Sequence, residues 1–112
     1  MLEREIEKIF VSEVRRAGGR AYKFNSPGND GVPDRLVCFP GGKICFVELK
    51  TDRGRPTSLQ RVQIRRLRDF GQSVFVVRGI EGVSEWFNDM RFPEIAKSIN
   101  AKYLRKVLEG KA

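Results

Sequence analysis

The sequence contains no histidine. This removes histidine general bases and histidine metal ligands, so any metal must be held by oxygen, which favours Mg²⁺ or Mn²⁺. Only two cysteines occur, Cys38 and Cys45, both flanked by apolar residues and without Cys-x-x-Cys spacing. That sets aside zinc and redox motifs; the two thiols read as small buried hydrophobes, which suits a reducing cytoplasm. No apolar run approaches the roughly 20 residues of a membrane span. The N-terminal MLEREIEKIF mixes charged and apolar residues and lacks the apolar stretch of a signal peptide. Internal repeats and low-complexity tracts are likewise missing.

What is present is a basic chain of one-domain length. Its 112 residues are 40% hydrophobic, enough for a core without disulfides. A formal net charge of +8 points to a polyanionic partner, nucleic acid before an acidic membrane surface.

Hydrophobic periodicity predicts an amphipathic helix over residues 2–17, stopped by Gly18 and Gly19, with Leu2, Ile6, Phe10, Val14 and Ala17 on one face. Residues 20–24 alternate like a strand, and 25–33 (NSPGNDGVP) form a turn-rich loop. Residues 34–39 and 43–50 read as strands joined by Pro40-Gly41-Gly42, and 51–56 as a polar loop. Thr57 has the features of an N-cap with Gln60 as its capping-box partner; the helix then runs to about Phe70 and stops at Gly71, with Gln63, Ile64, Leu67 and Phe70 on its inward arc. Residues 73–78 are a fourth strand. Helical patterns return after Gly82 and again over roughly 94–109. The order α-β-β-β-α-β, followed by C-terminal helices, predicts an α/β fold with a mixed four-stranded sheet flanked by helices.

Chemistry concentrates in GVPDRLVCFPGGKICFVELK. Alternation places Glu48 and Lys50 on one strand face, with Ile44 and Phe46, and Leu49 on the other. A Glu and a Lys at the end of an apolar strand are costly unless they pair or hold a metal. If Pro40–Gly42 is a three-residue loop, Phe39 pairs with Lys43 and Asp34 lies opposite Glu48, their Cβ atoms about 5 Å apart. A two-residue loop would put Asp34 opposite Leu49, facing away. The three-residue register lets Asp34 and Glu48, helped by the Leu49 carbonyl, share a divalent cation, with Lys50 beside the scissile phosphate. Taken alone, Glu48 and Lys50 are also ordinary charges at a strand terminus.

Pro33-Asp34 followed by Glu48-Leu49-Lys50 resembles the PD-(D/E)xK nuclease superfamily, whose core is restriction-endonuclease-like. GVPDRLV, FVELKTDRGRPTSLQ and the helix ending at Gly71 before SVFVV resemble its VRR-NUC branch. The likeness covers about residues 3–80 and leaves 81–112 as a C-terminal helical extension of a single 1–112 domain. It implies a metal-dependent DNA endonuclease acting on branched or structured DNA, similar to Holliday-junction resolvases and dimeric; the alternatives are a flap- or nick-processing nuclease and a non-catalytic basic DNA-binding protein with the same fold. Trp86, Phe87 and the C-terminal helix are candidates for the dimer contact. The resemblance also gives Gln60 an active-site role, beside the capping role that its spacing supplies; Gln63 is the weaker candidate. It assigns the first-helix glutamate to Glu3, a candidate third acid at the metal. The helical wheel by itself leaves Glu3 and Glu13 open, and an exposed helix-start glutamate also favours the macrodipole.

Basic residues supply the DNA path. Arg61, Arg65 and Arg68 share one face of the second predicted helix, Arg53 and Arg55 lead into it, and Arg15, Arg16, Arg20 and Lys23 cluster near the first helix end and first strand. Asn25, Ser26 and Asn29 lie in the loop before Asp34. Phosphate contacts need only charge and reach, and no base-reading module is evident, so recognition by shape is expected.

Overall fold

The structure, a computed structural model, describes residues 1–104. The chain runs α1 (Glu3–Arg16), β1 (Arg20–Lys23), β2 (Arg35–Phe39), β3 (Lys43–Lys50), α2 (Ser58–Asp69), β4 (Val74–Arg78), α3 (Gly79–Asp89) and α4 (Pro93–Ile99), with a π-helical turn over Asn100–Leu104. The four strands form one sheet in the order β1-β2-β3-β4. β1, β2 and β3 are antiparallel neighbours, and β4 joins β3 in parallel after the α2 crossover. The expected α-β-β-β-α-β order and mixed sheet are therefore present.

Alternation along the strands divides the sheet into two unlike faces. Val37 and Phe39 of β2, Cys45, Val47 and Leu49 of β3, and Val77 of β4 meet Ile6, Phe10 and Val14 of α1 and Ile80, Val83, Trp86 and Phe87 of α3 in one buried cluster. Ile95, Ala96 and Ile99 of α4 close it. Full burial of each large apolar side chain here contributes roughly 1.5–3 kcal/mol, and Phe10 and Phe87 add tilted and edge-on ring contacts to Trp86 at 5.0 and 4.9 Å. α2 covers the opposite face, and Ile64 is its one buried residue.

Several expectations are corrected. Trp86 and Phe87 are 3% and 0% exposed, so they belong to the core and cannot form a dimer contact. Phe70, expected on the inward arc of α2, is 73% exposed, because the helix ends there. Leu2, at the α1 N-cap, is likewise exposed. α3 begins at Gly79 and passes through Gly82, so Gly82 is not a break. The helix expected over 94–109 is α4 followed by a π-helical turn, and its residues 105–109 lie outside the described residues.

The β2–β3 connection positions the site. Pro40-Gly41-Gly42 is a three-residue turn between paired Phe39 and Lys43; Gly41 and Gly42 have φ of 89° and 79°, which glycine adopts without strain. Arg35 then lies opposite Val47, and the same register carries Asp34 opposite Glu48.

Candidate active site

Asp34 sits one residue before β2, where its backbone and side chain bridge two neighbours. Its carbonyl accepts from the Phe24 N–H at 2.8 Å, and its Oδ2 accepts from the Leu49 N–H at 2.9 Å. The buried Pro33 fixes the approach. Asp34 is thus tied to β1's end on one side and to β3 on the other, with a half-buried carboxylate.

Glu48 is 1% exposed, on the face that α2 covers. Its Oε2 accepts from Gln60 Nε2 at 3.0 Å and lies 3.3 Å from Lys50 Nζ. Its Oε1 has no partner; with Trp86 Nε1 it is one of two buried side-chain polar atoms so placed among the described residues. Burial, and then the negative charge of Asp34, push the Glu48 carboxyl up to about 7, with Lys50 pulling the other way. A desolvated carboxylate facing a second carboxylate, with one oxygen unbonded, is an electrostatic deficit that a cation would relieve.

Gln60 completes the capping box and also reaches Glu48. Thr57 Oγ1 accepts from the Gln60 N–H at 3.2 Å, and Gln60 Oε1 accepts from the Thr57 N–H at 2.8 Å. This capping box consumes the amide oxygen and leaves Nε2 free to reach Glu48. Gln63 is half-buried on α2 and its side chain makes no hydrogen bond among the described residues.

The glutamates of α1 separate along the helix. Glu3 is exposed in the first turn. Among the described residues no group of three or more Asp, Glu or Cys comes together to hold a metal, so Asp34 and Glu48 form a pair without Glu3. Glu13 is 4% exposed and committed elsewhere: its Oε2 accepts from Arg16 Nη2 at 2.7 Å, and its Oε1 lies 3.8 Å from Lys102 Nζ.

Two residues that sequence reasoning passed over help build the site. Gly31 has a φ of 88°, and a Cβ there would lie 2.7 Å from the Leu59 carbonyl carbon and oxygen and 2.8 Å from the Gln60 nitrogen. The loop before Asp34 thereby packs directly on the first turn of α2 and fixes where Gln60 stands. The signal was the glycine three positions before Asp34 in GVPD. Arg35 follows Asp34 and points through the other face of the sheet. Its Nε donates to Glu7 Oε1 at 3.1 Å and its Nη1 to the Ala21 carbonyl at 3.1 Å, joining α1 and β1 to the strand that carries Asp34. A charge in a strand flanked by apolar residues was the available clue.

Of the expected DNA-contacting residues, Lys23, Asn25, Asn29, Arg53, Arg55, Arg61 and Arg65 are exposed. Asn29 Nδ2 donates to Ser26 Oγ at 3.0 Å, so these two shape the loop; Asn29 is exposed and Ser26 half-buried. Arg68 is engaged, its guanidinium donating to the Val74 carbonyl at 2.7 and 3.2 Å. Arg61 and Arg65 stay on the open side of α2. The exposed apolar residues Tyr22 and Ile44 lie on the α2 side of the sheet, Leu59 and Val62 on α2 itself, and Phe70 at its C-terminal cap.

The chain is similar to known proteins. No family model matches the chain. A protein of Acyrthosiphon pisum secondary endosymbiont phage 1, "Putative nuclease p44", is 55% identical over 75 residues, which cover 67% of this chain and 81% of that protein. A solved structure described as a VRR_NUC domain superimposes with a TM-score of 0.66 at 30% sequence identity, covering 90% of this chain and 97% of that one.

Proposed function

The chain belongs to the VRR-NUC family of nucleases, and on that premise we propose that it is a Mg²⁺- or Mn²⁺-dependent endonuclease that hydrolyses phosphodiester bonds in branched DNA. The observation that carries this reading is the convergence at Glu48. One oxygen is gripped by Gln60 and Lys50, the other is buried and unbonded, and Asp34 stands beside it.

The donor set fits a hard divalent cation. Mg²⁺ is commonly held by one or two carboxylates, its remaining positions filled by water and phosphate oxygens. A carboxylate pair with the Leu49 carbonyl therefore suffices, and Glu3 takes at most an outer place. What such an ion supplies when bound is activation of water and neutralisation of phosphate charge.

The chain's own residues do the positioning. Gln60 and Lys50 fix the Glu48 carboxylate so that its free oxygen faces the pair. The Leu49 N–H holds Asp34 in the complementary orientation. Lys50, 14% exposed and 3.3 Å from Glu48, presents its remaining N–H groups to the attacking water and to the non-bridging phosphate oxygens, where negative charge grows. In the hydrolysis the water oxygen bonds to phosphorus and the P–O bond to the departing strand breaks. The water proton passes to solvent and the departing oxygen takes one up.

Lys23, Arg53, Arg55, Arg61 and Arg65 would track phosphates around the site, and Asn25, Ser26 and Asn29 would meet the DNA at the loop before Asp34. The protein acts as a homodimer in this proposal. The exposed apolar residues Tyr22, Ile44, Val62 and Phe70 provide the contact in place of the buried Trp86 and Phe87. Two free cysteines suit a reducing, cytoplasmic setting. No helix among the described residues is long and apolar enough to cross a membrane.

The test is a panel of labelled four-way junctions, flaps, forks, nicked duplexes and linear duplexes, incubated with purified protein and Mg²⁺ or Mn²⁺, with cut positions mapped. Cleavage of branched forms ahead of linear duplex is expected, with two symmetry-related cuts on a four-way junction. Cleavage that persists undiminished in chelator, or no preference for branched DNA, would remove the corresponding part of the proposal.

A further inference from the structure

We propose that a basic groove along the outer side of α1 holds the phosphate backbone of a second DNA arm, so that a branched substrate is gripped on both faces of the sheet. The proposal rests on the nuclease reading above and adds a binding site to it. The groove has a volume of about 370 Å³ and is lined by Arg4, Lys8, Arg15 and Arg35, with Glu7 and Ser12. Its one carboxylate is already engaged, since Glu7 Oε1 accepts from Arg35 Nε. Arg35 forms a fixed part of the groove wall, its side chain 15% exposed and also bonded to the Ala21 carbonyl. Arg4, Lys8 and Arg15 are exposed, and no ion pair within 4.0 Å engages them among the described residues.

Their spacing suits a polyanion. From Arg4 to Arg15 the helix rises roughly 16 Å, close to half a turn of duplex DNA. Arg4, Lys8 and Arg15 fall on one helical stripe, with Ser12 between them to donate to a phosphate oxygen. A linear row of three unpaired cations and a hydroxyl matches a backbone better than a single small anion.

Position relates the groove to cleavage. α1 packs on the face that carries Val47 and Leu49, whereas Glu48 and Gln60 meet on the face that α2 covers. Arg35 follows Asp34 directly and projects through the opposite face, so groove and site share one end of the sheet. Arg61 and Arg65 lie on the α2 side. A straight duplex can follow only one face of a sheet. Two arms diverging from a branch can follow both, with the branch point at the shared end.

The experiment uses the full chain with Arg4→Gln, Lys8→Gln and Arg15→Gln combined, and a second variant with Glu at the same positions. All three side chains are exposed and outside the cleavage machinery. Circular dichroism and thermal unfolding establish that each variant is folded; the Gln form serves where charge reversal disturbs α1. Affinity for an immobile four-way junction and for a linear duplex of matched length is measured across a salt series in chelator. The expected result is a loss of about tenfold or more in junction affinity, with the salt slope shallower by roughly 3, and a loss under about threefold for the linear duplex. Unchanged junction affinity, or equal losses on both substrates, would overturn the proposal. Because binding is read without cleavage, a wild-type protein that binds junctions but cuts nothing would sink the nuclease reading and leave the groove assignment to stand or fall on its own.

Discussion

Gln60 Nε2 donates to Glu48 Oε2 at 3.0 Å while the Gln60 amide oxygen accepts from the Thr57 N–H. One side chain thereby couples the start of α2 to the buried carboxylate of β3. The cap determines which end of the amide faces the site, so helix initiation and site geometry are a single structural event.

Separating the two roles of Gln60 is straightforward. Thr57→Ala removes the cap hydroxyl and should lower stability by about 1 kcal/mol, with cleavage reduced only modestly. Gln60→Ala removes the cap partner and the Glu48 contact together. It should cost similar stability but lower the cleavage rate by at least about tenfold, a loss of roughly 1.4 kcal/mol in transition-state stabilisation. Thermal unfolding and single-turnover cleavage on the same preparations check this. Equal rates for the two variants would mean that the Glu48 contact has no part in cleavage.

Gly31→Ala should damage the site from outside it. The added Cβ would meet the Leu59 carbonyl at 2.7 Å, at a φ of 88° that alanine adopts only with strain. A destabilisation of about 1–3 kcal/mol is expected, with Gln60 displaced and cleavage lost more steeply than stability. Unfolding curves and cleavage rates that match wild type would show that the loop does not seat α2.

Stability should depend on pH through Glu48. Its folded pKa is raised from the ordinary carboxylate value of 4.5 to about 7, by burial and then by Asp34. Below pH 4.5 both folded and unfolded forms keep the proton. Between 4.5 and 7 the folded form holds more protons, so stability falls as pH rises through that window and levels off above it. The loss is on the order of 3 kcal/mol in protein kept free of divalent ions. Glu48→Gln should flatten this part of the profile, and added Mg²⁺ or Mn²⁺ should restore wild-type stability above pH 7. Denaturant unfolding across pH 4–8, with and without the ions, measures it; a wild-type profile parallel to that of Glu48→Gln would contradict the assignment.

Cys45 should be inert in the native protein. It is 3% exposed and burial pushes its thiol up to about 11, against the opposing charge of Lys43. At pH 8 a thiol reagent should label the half-buried Cys38 first and Cys45 only on unfolding. Rapid native labelling at Cys45, read by peptide mass mapping, would contradict that placement.

The hairpin was legible because only one register lets Asp34 and Glu48 meet. A two-residue loop would turn Asp34 away from Glu48, so the chemistry of the pair selected Pro40–Gly42 as a three-residue loop, and the alternation of Ile44 to Lys50 then determines which residues oppose. The Thr57–Gln60 cap was readable because it depends on neighbours in the chain. What escaped depends on contacts between distant segments. The wheel of α2 placed Phe70 inward, but its helix ends there and leaves the ring 73% exposed. Trp86 and Phe87 looked like interface residues because nothing local reveals that α3 packs across the sheet onto Phe10. Gly31 read as a turn residue, and only the fold brings it against Leu59.

The most direct test of the central claim compares Asp34→Asn and Glu48→Gln with wild type on one cleavable branched substrate. Binding in chelator and cleavage in Mg²⁺ or Mn²⁺ are measured side by side. The account predicts junction affinity within about threefold of wild type or tighter, since a negative charge is lost near phosphate, and cleavage lower by at least about a thousandfold, roughly 4 kcal/mol. Cleavage by both variants at the wild-type rate would show that the carboxylate pair at the end of β3 is not where the phosphodiester bond is broken.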